Sequence, residues 1–118
     1  MTHKMNLAPQ PFTLISNGLK TVEMRLYDEK RTLINVGDTI VFENTNTHQT
    51  VKCIVVKLAR FCDFFELYSH YDKVSIGYDK NEVANPQDML KYYSPEQISK
   101  YGALAIEIRL VSASETNH

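Results

Sequence analysis

The chain has 118 residues, of which 43% are hydrophobic and 23% are charged, so we expect one globular domain with a buried core. With 13 Lys and Arg against 14 Asp and Glu, the net charge of -1 excludes a generally basic surface, and any nucleic acid has to be bound at a local patch or pocket. Cys53 and Cys62 lack the spacing of a redox motif or a zinc site, and no apolar run is long enough for a membrane span. These features favour a reduced, cytoplasmic protein.

The first predicted element is a short helix at residues 7–18. Proline is tolerated in its first turn, and Asn17-Gly18 suits a left-handed C-cap. From Thr21 to Leu26 apolar and polar residues alternate, which is typical of a half-buried strand. The polar face of this strand carries Thr21, Glu23 and Arg25.

A loop and a β-hairpin are predicted next. Residues 27–31 form a run of mixed charge, which is usually a solvated loop, although its position also allows a lip over a cleft. Gly37-Asp38 marks a turn before the strand at 39–43, and the polar residues 44–48 lead into a return strand at 51–58. The middle of the chain is therefore predicted to be β-rich.

Short helices and one strand are predicted for the second half. Helix starts are indicated at Asp63, at Asn85-Pro86 and at Ser94-Pro95, because each has an N-cap side chain before the first turn. Gly102 ends the last of these helices. Residues 103–110 then alternate between apolar and polar side chains, which predicts a final strand.

Three segments resemble the ASCH-domain pattern in order and spacing. They are Gly18-Leu19-Lys20-Thr21-Val22-Glu23-Met24-Arg25, the turn and strand at 36–42, and the strand at 101–108. The first, G-x-K-T-x-E-x-R, is the specific one. The resemblance implies an α+β fold, a small PUA-like β-barrel with short flanking helices. The chain is predicted to form a single domain of this kind at 1–110, followed by a flexible polar tail at 111–118.

The resemblance further implies RNA-related roles and a cleft lined by the Lys, Glu and Arg of that element. One branch of the family removes an acyl group from the exocyclic nitrogen of a modified cytidine, using a Lys, a Thr three residues later and a distant Glu. Lys20 matches that Lys, but Glu23 stands at the position of the Thr, and Thr21 has a different register. The distant carboxylate stays open among Glu66, Glu82 and Glu107.

A binding module is the first hypothesis, with RNA or a nucleoside or nucleotide as the partner. Lys20 and Arg25 are predicted to hold phosphate or base carbonyl oxygens. Glu23 is predicted to accept a hydrogen bond from an exocyclic amine or to pair with Arg25. Thr21 and Arg60 complete the predicted ligand-binding set, since Arg60 and the aromatic residue after it can hold a phosphate and stack a base.

Two other functions remain open. In an enzyme, either a hydrolase of acylated cytidine-type nucleosides or a ribonuclease, Lys20 acts as general base and Glu23 as its acid-base partner. In a protein-interaction module, the cleft is vestigial. A purely structural interpretation is that Glu23 and Arg25 form an ion pair on one strand face and that Lys20 is a solvated lysine in a turn.

Neither a metal nor another cofactor is predicted, because His3, His48, His70 and His118 have no ligand-like spacing. The second half of the chain is rich in tyrosine. Most of these tyrosines are predicted to pack at the edge of the core, while stacking on unpaired bases is the alternative. They are Tyr68, Tyr71, Tyr78, Tyr92, Tyr93 and Tyr101.

Overall fold

The computed structural model describes residues 1–111, and the predicted polar tail therefore lies, apart from its first residue, outside the described residues. The described chain contains five strands, three α-helices and two short 3-10 helices at Arg31–Leu33 and Pro86–Lys91. The strands are β1 (Thr2–Leu7), β2 (Val22–Leu26), β3 (Thr39–Asn44), β4 (Thr50–Phe61) and β5 (Ala103–Leu110). The α-helices are α1 (Pro9–Ser16), α2 (Phe64–His70) and α3 (Pro95–Tyr101).

Capping side chains start two of the helices, as predicted from the sequence. The Asp63 carboxylate accepts a hydrogen bond from the Glu66 amide at 2.9 Å at the start of α2. At α3, Ser94 and Gln97 form a reciprocal capping box. Gly102 follows α3 with a φ of 74°, a conformation that favours glycine. Asn85 caps a 3-10 helix in place of the α-helix that its sequence suggested.

The strands form one mixed sheet in the order β1-β3-β4-β5-β2. β1 runs parallel to β3, and the other neighbouring pairs are antiparallel. β1 was not predicted from the sequence, because only Met5 and Leu7 are buried in it and two such positions make too short an alternation. The return strand β4 extends past its predicted bounds at both ends.

The two strands at the ends of this order approach each other. The Arg25 guanidinium on β2 donates from Nη2 to the backbone oxygen of Asn6 on β1 at 3.0 Å. A flat five-stranded sheet would separate its outer strands by four inter-strand spacings of roughly 5 Å each. The contact therefore shows that the sheet curls into a small open barrel, in agreement with the predicted α+β class. We call the gap between β1 and β2 the seam.

Two apolar clusters cover the two faces of the sheet. The inner cluster contains Leu104 and Ile106 of β5 together with residues of α1, and it covers the inner face of the sheet. The outer cluster contains Val22, Met24 and Leu26. Directly opposed residues of an antiparallel pair point to the same face. The register pairs Glu23 with Ile106 and Arg25 with Leu104, so both polar side chains point to the inner face. β2, which was predicted to be half-buried, is therefore covered on both faces.

Candidate functional site

Backbone hydrogen bonds fix the position of Lys20 between α1 and β2. Its amide donates to the Leu14 carbonyl at 3.1 Å. The next two amides, of Thr21 and Val22, both donate to the Ser75 carbonyl at 3.0 Å. The side chain of Lys20 is only 8% exposed, so the solvated turn lysine of the structural interpretation is wrong.

Lys20, Glu23 and Arg25 form a buried ion-pair network, which we call the triad. Lys20 Nζ lies 2.8 Å from Glu23 Oε1. Arg25 contacts Glu23 Oε2 through Nε at 2.9 Å and through Nη2 at 2.7 Å. Both carboxylate oxygens of Glu23 therefore accept charge-assisted hydrogen bonds, which are stronger than bonds between neutral groups.

The environment of Glu23 keeps its carboxyl group ionised. Burial acts to raise its pKa, but the charges of Lys20 and Arg25 and their hydrogen bonds outweigh burial, and the pKa lies below its ordinary value. Glu23 is 4% exposed. The triad thus holds two cations and one anion, with a net charge of +1 at neutral pH.

Gly77 allows a loop to lie directly against Lys20. Its φ is 113°, and a Cβ atom at this position would lie 3.3 Å from Lys20 Cδ and 3.8 Å from Lys20 Nζ. Ser75, two residues before Gly77, has the carbonyl oxygen that accepts the hydrogen bonds from the Thr21 and Val22 amides. The loop is therefore hydrogen-bonded to the backbone next to Lys20 and also packs against the Lys20 side chain.

The triad lines a cavity of about 380 Å³ beside the seam, a size within the usual range of small-molecule sites. β1 and the start of α1 contribute to its lining, and Glu82, Asp88 and Lys91 add charged groups from the second half of the chain. Four aromatic residues also line it, namely Tyr68, Tyr78, Tyr92 and Tyr93. Charged donors and aromatic rings thus face one space.

The four tyrosines differ in their surroundings. The hydroxyl oxygens of Tyr68 and Tyr78 are 3.0 Å apart, and that of Tyr78 is 2.6 Å from Asp88 Oδ2. Burial, and next the hydrogen bond to Tyr78, raises the pKa of Tyr68. Burial and the hydrogen bond to Asp88 raise the pKa of Tyr78 and outweigh the bond from Tyr68, which lowers it, so both hydroxyls stay protonated. Tyr93 is stacked on a core phenylalanine, whereas Tyr92 is 71% exposed.

The structure does not bring all predicted ligand-binding residues together. Lys20, Glu23 and Arg25 share the cavity. Thr21 is exposed and lines a second cavity, of about 240 Å³, that also reaches Lys20. Arg60 is exposed on β4, and its guanidinium lies 3.9 Å from the centre of the Tyr27 ring, outside the lining of the main cavity.

The three candidates for a distant carboxylate also separate. Glu82 lines the cavity, and its carboxylate accepts from the amide of Asp79 at 2.7 Å. Glu66 caps the start of α2 by accepting from the Cys62 amide at 3.0 Å. Glu107 accepts from the Tyr71 hydroxyl at 2.8 Å. Of the three, Glu82 is thus the one near the triad.

Gly77 and Asp88 were not predicted as site residues from the sequence. Both lie in the irregular segment between α2 and α3, where no periodic pattern is present. The available signals were local: an isolated glycine between Ile76 and Tyr78, and an acid in the first turn after Asn85-Pro86. Neither signal indicates which cavity a residue will face.

Neither a membrane span nor a metal cluster is found in residues 1–111. No helix there is long and apolar enough to cross a bilayer. No three or more His, Cys, Asp or Glu side chains within the same range are arranged to hold a metal ion.

Comparison with known proteins identifies the family. The model of the ASCH domain matches residues 5–112, which is nearly the whole chain. The chain belongs to the ASCH family. The G-x-K-T-x-E-x-R element that carried the resemblance is therefore the part of this ASCH domain that supplies the triad. No curated protein sequence matches the chain.

Solved structures of similar proteins support the same fold. The crystal structure of hypothetical protein PH0355 is 30% identical, with a TM-score of 0.80, and the match covers 94% of this chain and 100% of that one. The solution structure of protein PF0455 from Pyrococcus furiosus is also 30% identical, with a TM-score of 0.72 and coverage of 95% and 99%. ASCH from Zymomonas mobilis, at 17% identity, 97% and 75% coverage and a TM-score of 0.67, shares the fold. The predicted PUA-like fold is thus confirmed.

Proposed function

We propose that this ASCH domain binds RNA or a nucleotide in the cavity beside the seam. Lys20 and Arg25 contact phosphate or base carbonyl oxygens, and Glu23 holds the two cations in place. The observation that carries the proposal is the burial of this triad in the cavity lining. A fold without a ligand gains little from such a network, because desolvating charges costs several kcal/mol per ion and often cancels their attraction.

The triad has donors to spare. An ammonium group has three N–H donors and a guanidinium has five. The contacts to Glu23 and Asn6 occupy one donor of Lys20 and only part of those of Arg25. The remaining N–H groups are suited to an anionic or carbonyl oxygen in the cavity, and the net positive charge favours an anion.

The aromatic lining supports a base as the remaining part of the ligand. Unpaired bases are commonly held by stacking on Tyr, Phe or Trp, and such stacking contributes about 1–3 kcal/mol per base. Tyr92 offers an exposed ring at the cavity. A cavity of about 380 Å³ accommodates one nucleotide, while the rest of a strand would lie outside.

The geometry favours binding over hydrolysis by the same residues. A general base accepts a proton, but Lys20 Nζ acts as a hydrogen-bond donor to Glu23 at 2.8 Å. Glu23 in turn lacks the raised pKa of a carboxyl group that donates protons near neutral pH. Thr21 does not line the main cavity.

Titration tests the proposal. Wild type, Lys20→Met and Lys57→Met are titrated at low salt with single-stranded RNA oligomers and nucleoside monophosphates. Lys57 is exposed on β4 and is the matched control. We expect Lys20→Met to weaken binding by about tenfold or more, since charge-assisted hydrogen bonds contribute about 1.5–3 kcal/mol. Flat wild-type titrations with every ligand would contradict the proposal.

Mass analysis of the same mixtures, and of the same proteins incubated with acylated cytidine, separates the two functions. Intact ligand after prolonged incubation supports a binding module. Products that form with wild type and not with Lys20→Met would replace the binding proposal with the hydrolase. A cytoplasmic location accompanies either function as a proposal, and the free thiols of Cys53 and Cys62 are compatible with it.

A further inference from the structure

A hydrogen-bonded chain in the cavity is not used by the proposed function. It runs from Tyr68 through Tyr78 to Asp88, and all three residues line the cavity. The two hydroxyl oxygens are 3.0 Å apart, and Tyr78 Oη is 2.6 Å from Asp88 Oδ2. Tyr78 Oη also lies 3.1 Å from the Asn85 carbonyl oxygen. The chain begins at a phenol and ends at a carboxylate.

The direction of the hydrogen bonds in this chain is fixed by its acceptors. A carboxylate and a carbonyl can only accept, and Tyr78 has one proton. This proton points to Asp88, because the alternative leaves two unprotonated oxygens 2.6 Å apart. The bond between the hydroxyls must then be donated by Tyr68 to Tyr78. Tyr68 has thereby used its single proton, and what its hydroxyl offers to a ligand is an acceptor lone pair.

The segment that carries Tyr78 and Asp88 holds both groups in position. The Asp88 amide donates to the Asn85 carbonyl at 2.9 Å, and the Tyr78 amide donates to the Lys73 carbonyl at 2.9 Å. The Asn85 side chain caps the 3-10 helix that contains Asp88. The direction of the chain is thus set by the backbone before any ligand arrives, as a specificity-determining group requires.

We propose that Tyr68, oriented by Tyr78 and Asp88, selects ligands that place an amino group rather than a carbonyl oxygen against it. The inference rests on the proposed function and adds the class of base: cytosine is preferred to uracil, and adenine to hypoxanthine. A carbonyl at this place would meet a lone pair, and a site whose polar group is left unpaired discriminates strongly against the wrong ligand. Tyr68 is the specificity-determining residue, and Tyr78 and Asp88 are positioning residues.

Paired ligands of nearly equal shape test this inference. Cytidine and uridine monophosphates, and adenosine and inosine monophosphates, are titrated by calorimetry into wild type, Tyr68→Phe, Tyr78→Phe and the control Tyr101→Phe. We expect wild type to prefer the amino member by about tenfold, which corresponds to one hydrogen bond of about 1.4 kcal/mol. Tyr101 lies outside the lining of the cavity, so Tyr101→Phe should keep this preference.

Tyr68→Phe and Tyr78→Phe have different expected results. Tyr68→Phe removes the acceptor, so the amino and carbonyl ligands should bind about equally. Tyr78→Phe frees the proton of Tyr68, which can then donate to a carbonyl, and the preference should move toward uridine and inosine. Thermal unfolding of each variant verifies that it is folded.

Each failure has its own meaning. If wild type binds both members of each pair equally, or prefers the carbonyl member, the inference is overturned and the proposed function stands. The same holds if Tyr68→Phe keeps the wild-type preference. If wild type binds none of the monophosphates and no RNA oligomer, the proposed function is overturned, and this inference with it.

Discussion

Two carboxylates of this domain, Glu23 and Asp38, have lowered pKa values in very different places. Glu23 lines the cavity between two cations. Asp38 lies in the turn before β3, where His3 contacts it at 2.8 Å, the Asn35 amide at 2.9 Å and the amino terminus at 3.3 Å. The contacts of Asp38 join β1 to the start of β3, whereas the partners of Glu23 keep donors for a ligand. A perturbed pKa therefore indicates function only together with a cavity and unused polar groups.

The largest effect is expected from Glu23→Gln. This change leaves Lys20 and Arg25 buried without their anion, and breaking a buried ion pair on one side typically costs about 3–5 kcal/mol. The free energy of unfolding is measured in urea. Glu43→Gln is the control, since Glu43 is 43% exposed in the side chain and pairs with His48 on the surface.

The contrast between the buried triad and a surface ion pair would be contradicted if Glu23→Gln and Glu43→Gln lowered the free energy of unfolding by the same amount. Glu23 would then contribute no more to stability than an exposed ion-pair residue. A loss below about 1 kcal/mol, the usual limit for exposed pairs, would point the same way.

A smaller effect is expected from Gly77→Ala. The new methyl group meets Lys20 Cδ at 3.3 Å, in addition to the backbone strain of a positive φ. Gly37→Ala is the matched control, because its φ is 94° and nothing lies within 4 Å of its Cβ position. Both variants should lose on the order of 1–2 kcal/mol of stability from strain, but only Gly77→Ala should also weaken nucleotide binding.

Equal nucleotide affinity of the two alanine variants would show that the loop does not influence Lys20. Affinity is measured by the titration used for the proposed function, and the free energy of unfolding in urea verifies that the backbone strain is similar in both variants.

Asp38 predicts a pH effect that is separate from the cavity. The hydrogen bond from His3, then that from the Asn35 amide, lowers its pKa from 3.8 to about 2. A carboxyl group whose pKa is lower in the folded state stabilises the fold above its ordinary pKa. This contribution is lost as the pH falls from about 4 through 2. Stability in that window should fall less steeply in Asp38→Asn.

Urea unfolding at a series of pH values measures this slope, with Asp72→Asn as a control carboxylate outside the cluster. If Asp38→Asn and wild type lose stability in parallel below pH 4, the contacts of Asp38 do not lower its pKa. Asp38 could then no longer be compared with Glu23 as a carboxylate of lowered pKa.

How far the sequence predicts this domain depends on the range of the interaction. Helix caps at Asp63 and Ser94 were predictable because they are made within four residues. The triad was predictable as a set, since its members lie on one element of a known pattern. Its burial was not, because that depends on the inner cluster and on the seam, which bring β1 and β2 together from opposite ends of the sheet. The contact of Tyr78 with Asp88 crosses an irregular segment and left no pattern.

Arg60 gives the smallest expected effect and tests the limits of the cavity. The sequence placed it in the ligand-binding set, whereas the structure places its guanidinium over Tyr27, 3.9 Å from the ring centre. An exposed cation–π contact contributes about 0.5–1 kcal/mol. Arg60→Met should therefore lower the free energy of unfolding by no more than this amount and leave the affinity for a monophosphate unchanged. With longer RNA the outcome is sharper: weaker binding of an oligomer alone would show that the strand leaves the cavity across β4, and would restore Arg60 to the ligand-binding set.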